Sequence, residues 1–206
     1  MSGQFSISAS GRQLGFTLVE IAIVLVIIGL ILGGVLKGQV LIDNAKYKNF
    51  VKQIESYRGA YFTFQDTFGG LPGDLAIITV LHASAEAGDG DGLIEGDECT
   101  TADEESCTVW SHLRYAGIIA GDPSLTGATA PPNHTYGGLV STIATGDWGN
   151  GITQTKIYSK GIPGDVAQRY DNEFDDGDAT SGSVSRNTGT DATYDLATSH
   201  DLIITI

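Results

Sequence analysis

The sequence predicts an α+β protein in which one long N-terminal helix packs against a small head built around an antiparallel sheet. Two observations predict the helix, namely an unbroken apolar run and an apolar stripe of helical period that follows it. The head is predicted by short β-branched segments after residue 69, which are bounded by Gly, Asp or Asn. With 206 residues, 41% of them apolar, the chain can form one compact domain with an appendage.

The apolar run occupies residues 16–36, which read FTLVEIAIVLVIIGLILGGVL and carry one charge. As a helix it would be roughly 32 Å long, about the thickness of the hydrocarbon core of a bilayer. We therefore expect it to span a membrane. The residues before it carry one charge, Arg12, which favours a cytoplasmic location for this end. A secretory signal peptide fits poorly, because no small-residue cleavage site follows the run.

The helical period continues through residues 37–68, where no proline interrupts it. Apolar residues recur there at steps of three and four: Tyr47, Phe50, Val51, Ile54, Tyr57, Tyr61, Phe64 and Phe68. One continuous helix from Phe16 to Phe68 would be roughly 80 Å long. We expect the stripe to pack under a sheet. Charge conduction along the aromatic rings is the alternative.

Glu20 is the single charge inside the predicted span. A carboxylate in that position costs on the order of 3 kcal/mol to insert and normally has a partner. Because the span holds no other charge, the partner has to come from a new N-terminus of the chain, another subunit or another protein. The alternative is a carboxylate tolerated near the membrane surface.

The segment Gly15-Phe16-Thr17-Leu18-Val19-Glu20, followed by the apolar run, resembles the processing signature of type IV prepilins and of type II secretion pseudopilins. The resemblance implies that a prepilin peptidase cleaves after Gly15 and methylates the new N-terminal residue, Phe16. It also implies that Glu20 pairs with the N-terminal amine of a neighbouring subunit during assembly. The expected function is therefore that of a structural filament subunit that polymerises through its N-terminal helix.

The resemblance divides the chain into a leader peptide (1–15), a membrane and filament-core half-helix (16–36), an amphipathic half-helix (37–68) and a globular head (69–206). It implies a homopolymer as the functional form. The expected partners are prepilin peptidase and an inner-membrane assembly platform with its ATPase. The precursor would lie in the bacterial inner membrane and the product in an extracellular or periplasmic filament. Major pilin, minor pilin and pseudopilin remain open.

Within the head, Asp74 is a plausible cap for a short helix over residues 75–85, and a second helix is predicted over 109–119. Pro163 and Asp165 predict the start of a third helix that ends near Phe174. Strands are predicted over residues 138–144, 151–159 and 202–206.

Two cysteines, Cys99 and Cys107, occur in the chain, and they form no C-x-x-C pair. A disulfide suits them better than a metal or redox role, and it would persist in an oxidising compartment. Two unpaired thiols are the alternative.

Two acidic clusters are candidate calcium sites, because calcium takes six to eight oxygen ligands. The first contains Asp89, Asp91, Glu95 and Asp97, and the second contains Asp171, Asp175, Asp176 and Asp178. The first cluster does not have the spacing of an EF-hand. Solvated acidic loops are the alternative, because runs of like charge are usually exposed. No other cofactor is expected.

The remaining composition argues against catalysis and nucleic-acid binding. The net charge of −14 repels phosphate backbones. The four histidines have no recognisable catalytic partner, and no Walker A motif occurs. The runner-up function is a membrane-tethered calcium-binding adhesin that does not polymerise.

Overall fold

The computed structural model describes residues 15–96, 99, 101, 104–145 and 154–206. The chain divides into two compact units, Met1–Asn44 and Ala45–Ile206. The first helix, α1 (Leu18–Phe68), contributes to both units. It confirms the predicted long helix, and its observed start lies two residues after the predicted one.

In the first unit, α1 presents its large apolar side chains to the surroundings on every side. Leu25, Leu30 and Leu36, for example, are all more than 60% exposed. Within the described residues, α1 is the one helix long and apolar enough to cross a membrane. A helix that is apolar all round needs an apolar environment, which a bilayer or a bundle of like helices provides.

In the second unit, the remaining part of α1 buries the predicted stripe. Phe50, Ile54 and Phe64 are completely buried, and Tyr47 and Tyr61 nearly so. These side chains belong to the main hydrophobic core, together with residues of the sheet and the other two helices. The sheet therefore packs on the aromatic face of the helix as predicted.

The sheet consists, in the part of the chain described, of β1 (Val140–Thr145), β2 (Thr155–Pro163), β3 (Val184–Arg186) and β4 (Ser199–Thr205). Its strand order is β1-β2-β4-β3, and each of the described pairs is antiparallel. The central pair places Ile157 opposite Ile204. The predicted strand positions are confirmed within a few residues, except that β3 was not predicted and residues 151–153 lie outside the described residues.

Helix α2 (Glu105–Tyr115) begins four residues before its predicted start and ends four before its predicted end. It ends there because Gly117 adopts a left-handed conformation, φ +68°. The N–H of Ile118 then bonds to the carbonyl of Leu113, and that of Gly117 bonds to the carbonyl of Arg114. This pair of bonds is a Schellman motif. Helix α3 (Gly164–Phe174) begins and ends where predicted.

The predicted helix over residues 75–85 is wrong. The structure has only a short 3-10 turn there, Ile78–Val80. Asp74 does not cap a helix, because its carboxylate accepts bonds from Gly90, Asp91 and Gly92. The run of β-branched side chains at Ile77–Val80 also has low helix propensity.

Candidate processing and assembly site

The predicted cleavage site lies just before the first turn of α1. Gly15 and Phe16 are outside the helix, and Phe16 is 83% exposed. No heavy atom lies within 4 Å of the position that a Cβ on Gly15 would occupy. The peptide bond between these two residues is therefore accessible in an unwound segment, as a protease substrate requires.

Glu20 forms a capping box with Thr17 at the start of the helix. Its carboxylate accepts hydrogen bonds from the backbone N–H and the hydroxyl of Thr17, both at 2.8 Å. The Thr17 hydroxyl oxygen accepts a bond from the N–H of Glu20 at 3.2 Å. Within a single copy, the carboxylate is thus hydrogen-bonded but has no cation among the described residues. Arg12 and the rest of residues 1–14 lie outside them.

The first acidic cluster is larger than the sequence suggested. Asp89, Asp91 and Glu95 have carboxylate oxygens within 4.8 Å of one another, and so do Asp74, Asp89 and Glu105. Asp97 lies outside the described residues. Asp74 and Glu105 could not be recognised from the sequence, because the fold brings them to the loop from 10 to 21 residues away along the chain, which no local spacing shows.

The electrostatics of this cluster are unfavourable in the absence of a cation. A hydrogen bond that protonated Glu95 donates to Glu105, with burial and the repulsion of neighbouring carboxylates adding to it, raises the pKa of Glu95 to about 7. Burial raises the pKa of Asp74, although three backbone N–H groups oppose the effect. Such shifts arise where carboxylates share one site. The cluster could bind a cation through these oxygens.

The second cluster brings Asp171, Asp175 and Asp176 together within the same 4.8 Å. Asp171 is completely buried, and it accepts bonds from the Tyr194 hydroxyl and the Gly177 N–H. Burial raises its pKa. Asp178 does not join the other three. Its carboxylate accepts bonds from the N–H and hydroxyl of Thr180 instead.

Cys99 and Cys107 form the predicted disulfide, with Cα atoms 4.8 Å apart. Both residues are buried against the core. The bond joins the segment after the first acidic cluster to α2.

His112, one of the four histidines without a recognisable catalytic partner in the sequence, is completely buried. It bonds to the backbone of Gly73 and of Glu86. These contacts are structural, and they leave neither ring nitrogen open toward a substrate.

A family model, the prokaryotic N-terminal methylation motif, matches residues 10–36. No curated protein and no solved structure matches the chain. The matched segment contains Gly15 and Phe16 of the predicted cleavage site and Thr17 and Glu20 of the capping box. This chain therefore carries the N-terminal methylation motif that is the signature of type IV pilins and pseudopilins.

Proposed function

We propose that this protein is a structural subunit of a type IV pilus-like filament. Prepilin peptidase cuts it after Gly15 and methylates Phe16, and the mature chain polymerises through α1. The observation that carries the proposal is the methylation motif at the start of a helix whose first 27 residues, from Leu18 to Asn44, lie in the first unit with their large apolar side chains exposed.

Two properties of α1 favour assembly, namely its exposed apolar side chains and its one carboxylate near the N-terminus, Glu20. Its apolar side chains have to stay out of water, first in the inner membrane and then against like helices in the filament. The Glu20 carboxylate needs a cation, which the N-terminal amine of a neighbouring subunit supplies. A misregistered neighbour leaves both charges unpaired in an apolar environment, so this pair favours one axial register.

The same reasoning supports the remaining parts of the proposal. The motif implies processing by prepilin peptidase, and assembly would use an inner-membrane platform with its ATPase. We propose no catalytic role for the head and no direct binding of nucleic acid. The finished filament would lie outside the cytoplasm, where the Cys99–Cys107 disulfide persists.

The test is the intact mass of the protein recovered from its native host. A chain that begins at Phe16 and carries one extra methyl group is the expected result. An uncut chain would contradict the proposal. As a matched variant, Gly15→Val should leave the chain at full length in the membrane, because the peptidase loses the glycine before the cleaved bond.

A pseudopilin of type II secretion is the second candidate of the same class. Deletion of the gene separates the two, because a pseudopilin is needed for enzyme export whereas a pilin is needed for surface fibres. If the protein forms short periplasmic polymers and its deletion stops enzyme export, the pseudopilin role would replace the pilus proposal.

A membrane-tethered calcium-binding adhesin is the candidate from another class. The observation in its favour is three groups of carboxylates, two of which share Asp89, whose oxygens lie within 4.8 Å of one another in each group. Calcium that binds only the folded chain has to stabilise it, by about 2.7 kcal/mol at a hundredfold excess over Kd. Thermal unfolding midpoints measured with calcium and with chelator test this. The variants Asp91→Asn and Asp176→Asn identify the cluster that binds, because the calcium-dependent rise in midpoint should be lost only in the variant of that cluster. Equal unfolding midpoints in calcium and in chelator would contradict calcium binding.

A further inference from the structure

The C-terminal end of α1 borders an open cleft with a volume of about 540 Å³. Its walls include Phe68, Leu71, Ile77 and Val80, and its polar side is formed by Asp74 with the backbone of Gly90 and Gly92. Ile77 is 66% exposed and Val80 is 58% exposed. We call this feature the terminal cleft.

The terminal cleft is negative on its polar side. The last carbonyls of a helix carry partial negative charge, and no basic residue lies in the last turn of α1. Next to the cleft, Asp89, Asp91 and Glu95 crowd together. Among the described residues, no lysine or arginine forms an ion pair with these carboxylates. The cleft therefore combines apolar walls with an unneutralised negative end.

A lysine side chain matches that combination better than a bare metal ion does. Lysine buries its aliphatic stem along apolar surface while its ammonium group stays in a polar or charged environment. A metal ion would use the carboxylate oxygens but would leave Ile77 and Val80 uncovered.

The same unit presents such lysines earlier on α1. Lys48 and Lys52 are exposed and lie four residues apart, on the side of α1 away from Phe50 and Ile54. Neither forms an ion pair with a residue that the structure describes. We call these two residues the lysine face. Along α1 they lie 16 to 20 residues before Phe68, which is about 24–30 Å.

We propose that the lysine face of one copy docks into the terminal cleft of a second copy. The two surfaces are different patches of one unit, so the contact is heterologous and repeats from copy to copy, as a filament requires. A neighbour displaced by about 24–30 Å along the helix brings them together. The inference rests on the proposed filament function and names the contact between subunits.

The test uses the full chain in its native host, with Ser56→Cys and Ile77→Cys in the same polypeptide. Ser56 is exposed one helical turn after Lys52, so both lysines stay intact. Oxidation should give a ladder of disulfide-linked multimers. Lys48→Glu with Lys52→Glu should weaken the ladder about tenfold, because like charges then meet, and Asp89→Lys with Asp91→Lys should restore it. Lys46→Glu, an exposed lysine on another side of the helix, is the matched control and should leave the ladder unchanged.

The outcomes separate this inference from the proposed function. If a nonspecific cross-linker gives multimers but the cysteine pair gives no ladder, the docking contact is wrong and the proposed filament function is unaffected. No multimers by either method overturn both. A cysteine cross-link to a different protein, or a ladder that ignores the charge reversals, also overturns the contact.

Discussion

His112 shows how one buried side chain fixes a long loop of the head. Its Nδ1 accepts a hydrogen bond from the N–H of Gly73 at 2.9 Å, so the ring proton is on Nε2, which donates to the carbonyl of Glu86 at 2.6 Å. The ring also stacks on Phe64. Gly88, at the end of this loop, has to be glycine, because a Cβ there would lie 2.4 Å from the Cα of Asp74.

The first prediction concerns the protonation of His112. Burial lowers its pKa from the ordinary 6.5, so the folded chain binds fewer protons than the unfolded chain just below that pH. The stabilising contribution is therefore complete above pH 6.5 and is lost as the pH falls from 6.5 through the folded-state pKa. Thermal unfolding of the full chain in detergent at pH 7.5 and pH 5 measures the loss.

The informative comparison is with His112→Gln, which does not titrate but can still accept and donate. The variant should lose less stability than the wild type between these two pH values. His82→Gln, at an exposed position, is the control. A comparison of variants is needed because Glu95, whose pKa is raised, stabilises the folded chain as the pH falls over part of this range. This effect opposes the loss of stability from His112. Identical pH dependence in wild type and His112→Gln would contradict the assignment.

The second prediction concerns Glu20. In one copy its carboxylate bonds only to Thr17 among the described residues. Glu20→Gln keeps the shape of the side chain and removes the charge that we propose pairs with a neighbour, so filaments should decrease while cleavage after Gly15 continues. Quantitative immunoblots of sheared filaments and of membranes measure the two steps. Asp43→Asn, which removes another exposed carboxylate of α1, should leave both unchanged. Normal filament yield in Glu20→Gln would rule out the charge pair.

At the level of elements, the disulfide holds the segment of Cys99 to α2, next to the first acidic cluster. The two cysteines are eight residues apart in the sequence. Closing so short a loop stabilises the fold by about 2.5 kcal/mol through the reduced entropy of the unfolded chain. Both cysteines are also in the core.

The third prediction is that Cys99→Ser with Cys107→Ser lowers the free energy of unfolding by about 2.5 kcal/mol. Denaturant unfolding of the full chain in detergent, with and without reductant, measures it. Reductant should destabilise the wild type by a similar amount and leave the double variant unaffected. A wild type that is indifferent to reductant under conditions that cleave the bond would contradict this role.

Elements with a local cause were predictable, and those with a distant cause were not. The 3.6-residue period of α1 and the start signals of α3 are properties of neighbouring residues, and both helices were placed correctly. The segment 75–85 is a loop because Asp74 bonds to backbone groups 16 to 18 residues away. The same long-range folding adds Asp74 and Glu105 to the acidic cluster. Strand β3, three residues long, depends on pairing with β4.

On the scale of the whole molecule, charge is divided unevenly along the chain. Of the 11 basic residues, five lie between Lys37 and Arg58, whereas most of the 25 acidic residues follow Asp66. In the proposed filament, the acidic heads would repel those of a neighbouring filament, and this repulsion would oppose side-by-side association. The whole chain has a net charge of −14, and the proposed cleavage removes the positive Arg12 with the leader, so the surface charge would keep the proposed filaments apart.

The last prediction follows from this repulsion. As the pH falls toward the sequence pI of about 4.4, carboxylates take up protons and the net charge approaches zero, so filaments should associate laterally into bundles. Turbidity and negative-stain microscopy of purified filaments at pH 7 and near pH 4.4 test this. Return to pH 7 should disperse the bundles, which distinguishes association of folded filaments from irreversible aggregation of unfolded heads. Raised salt at pH 7 should favour bundling as well, because the Debye length falls from about 8 Å to about 3 Å at 1 M salt. Filaments that stay dispersed under both conditions would show that surface charge does not control their association.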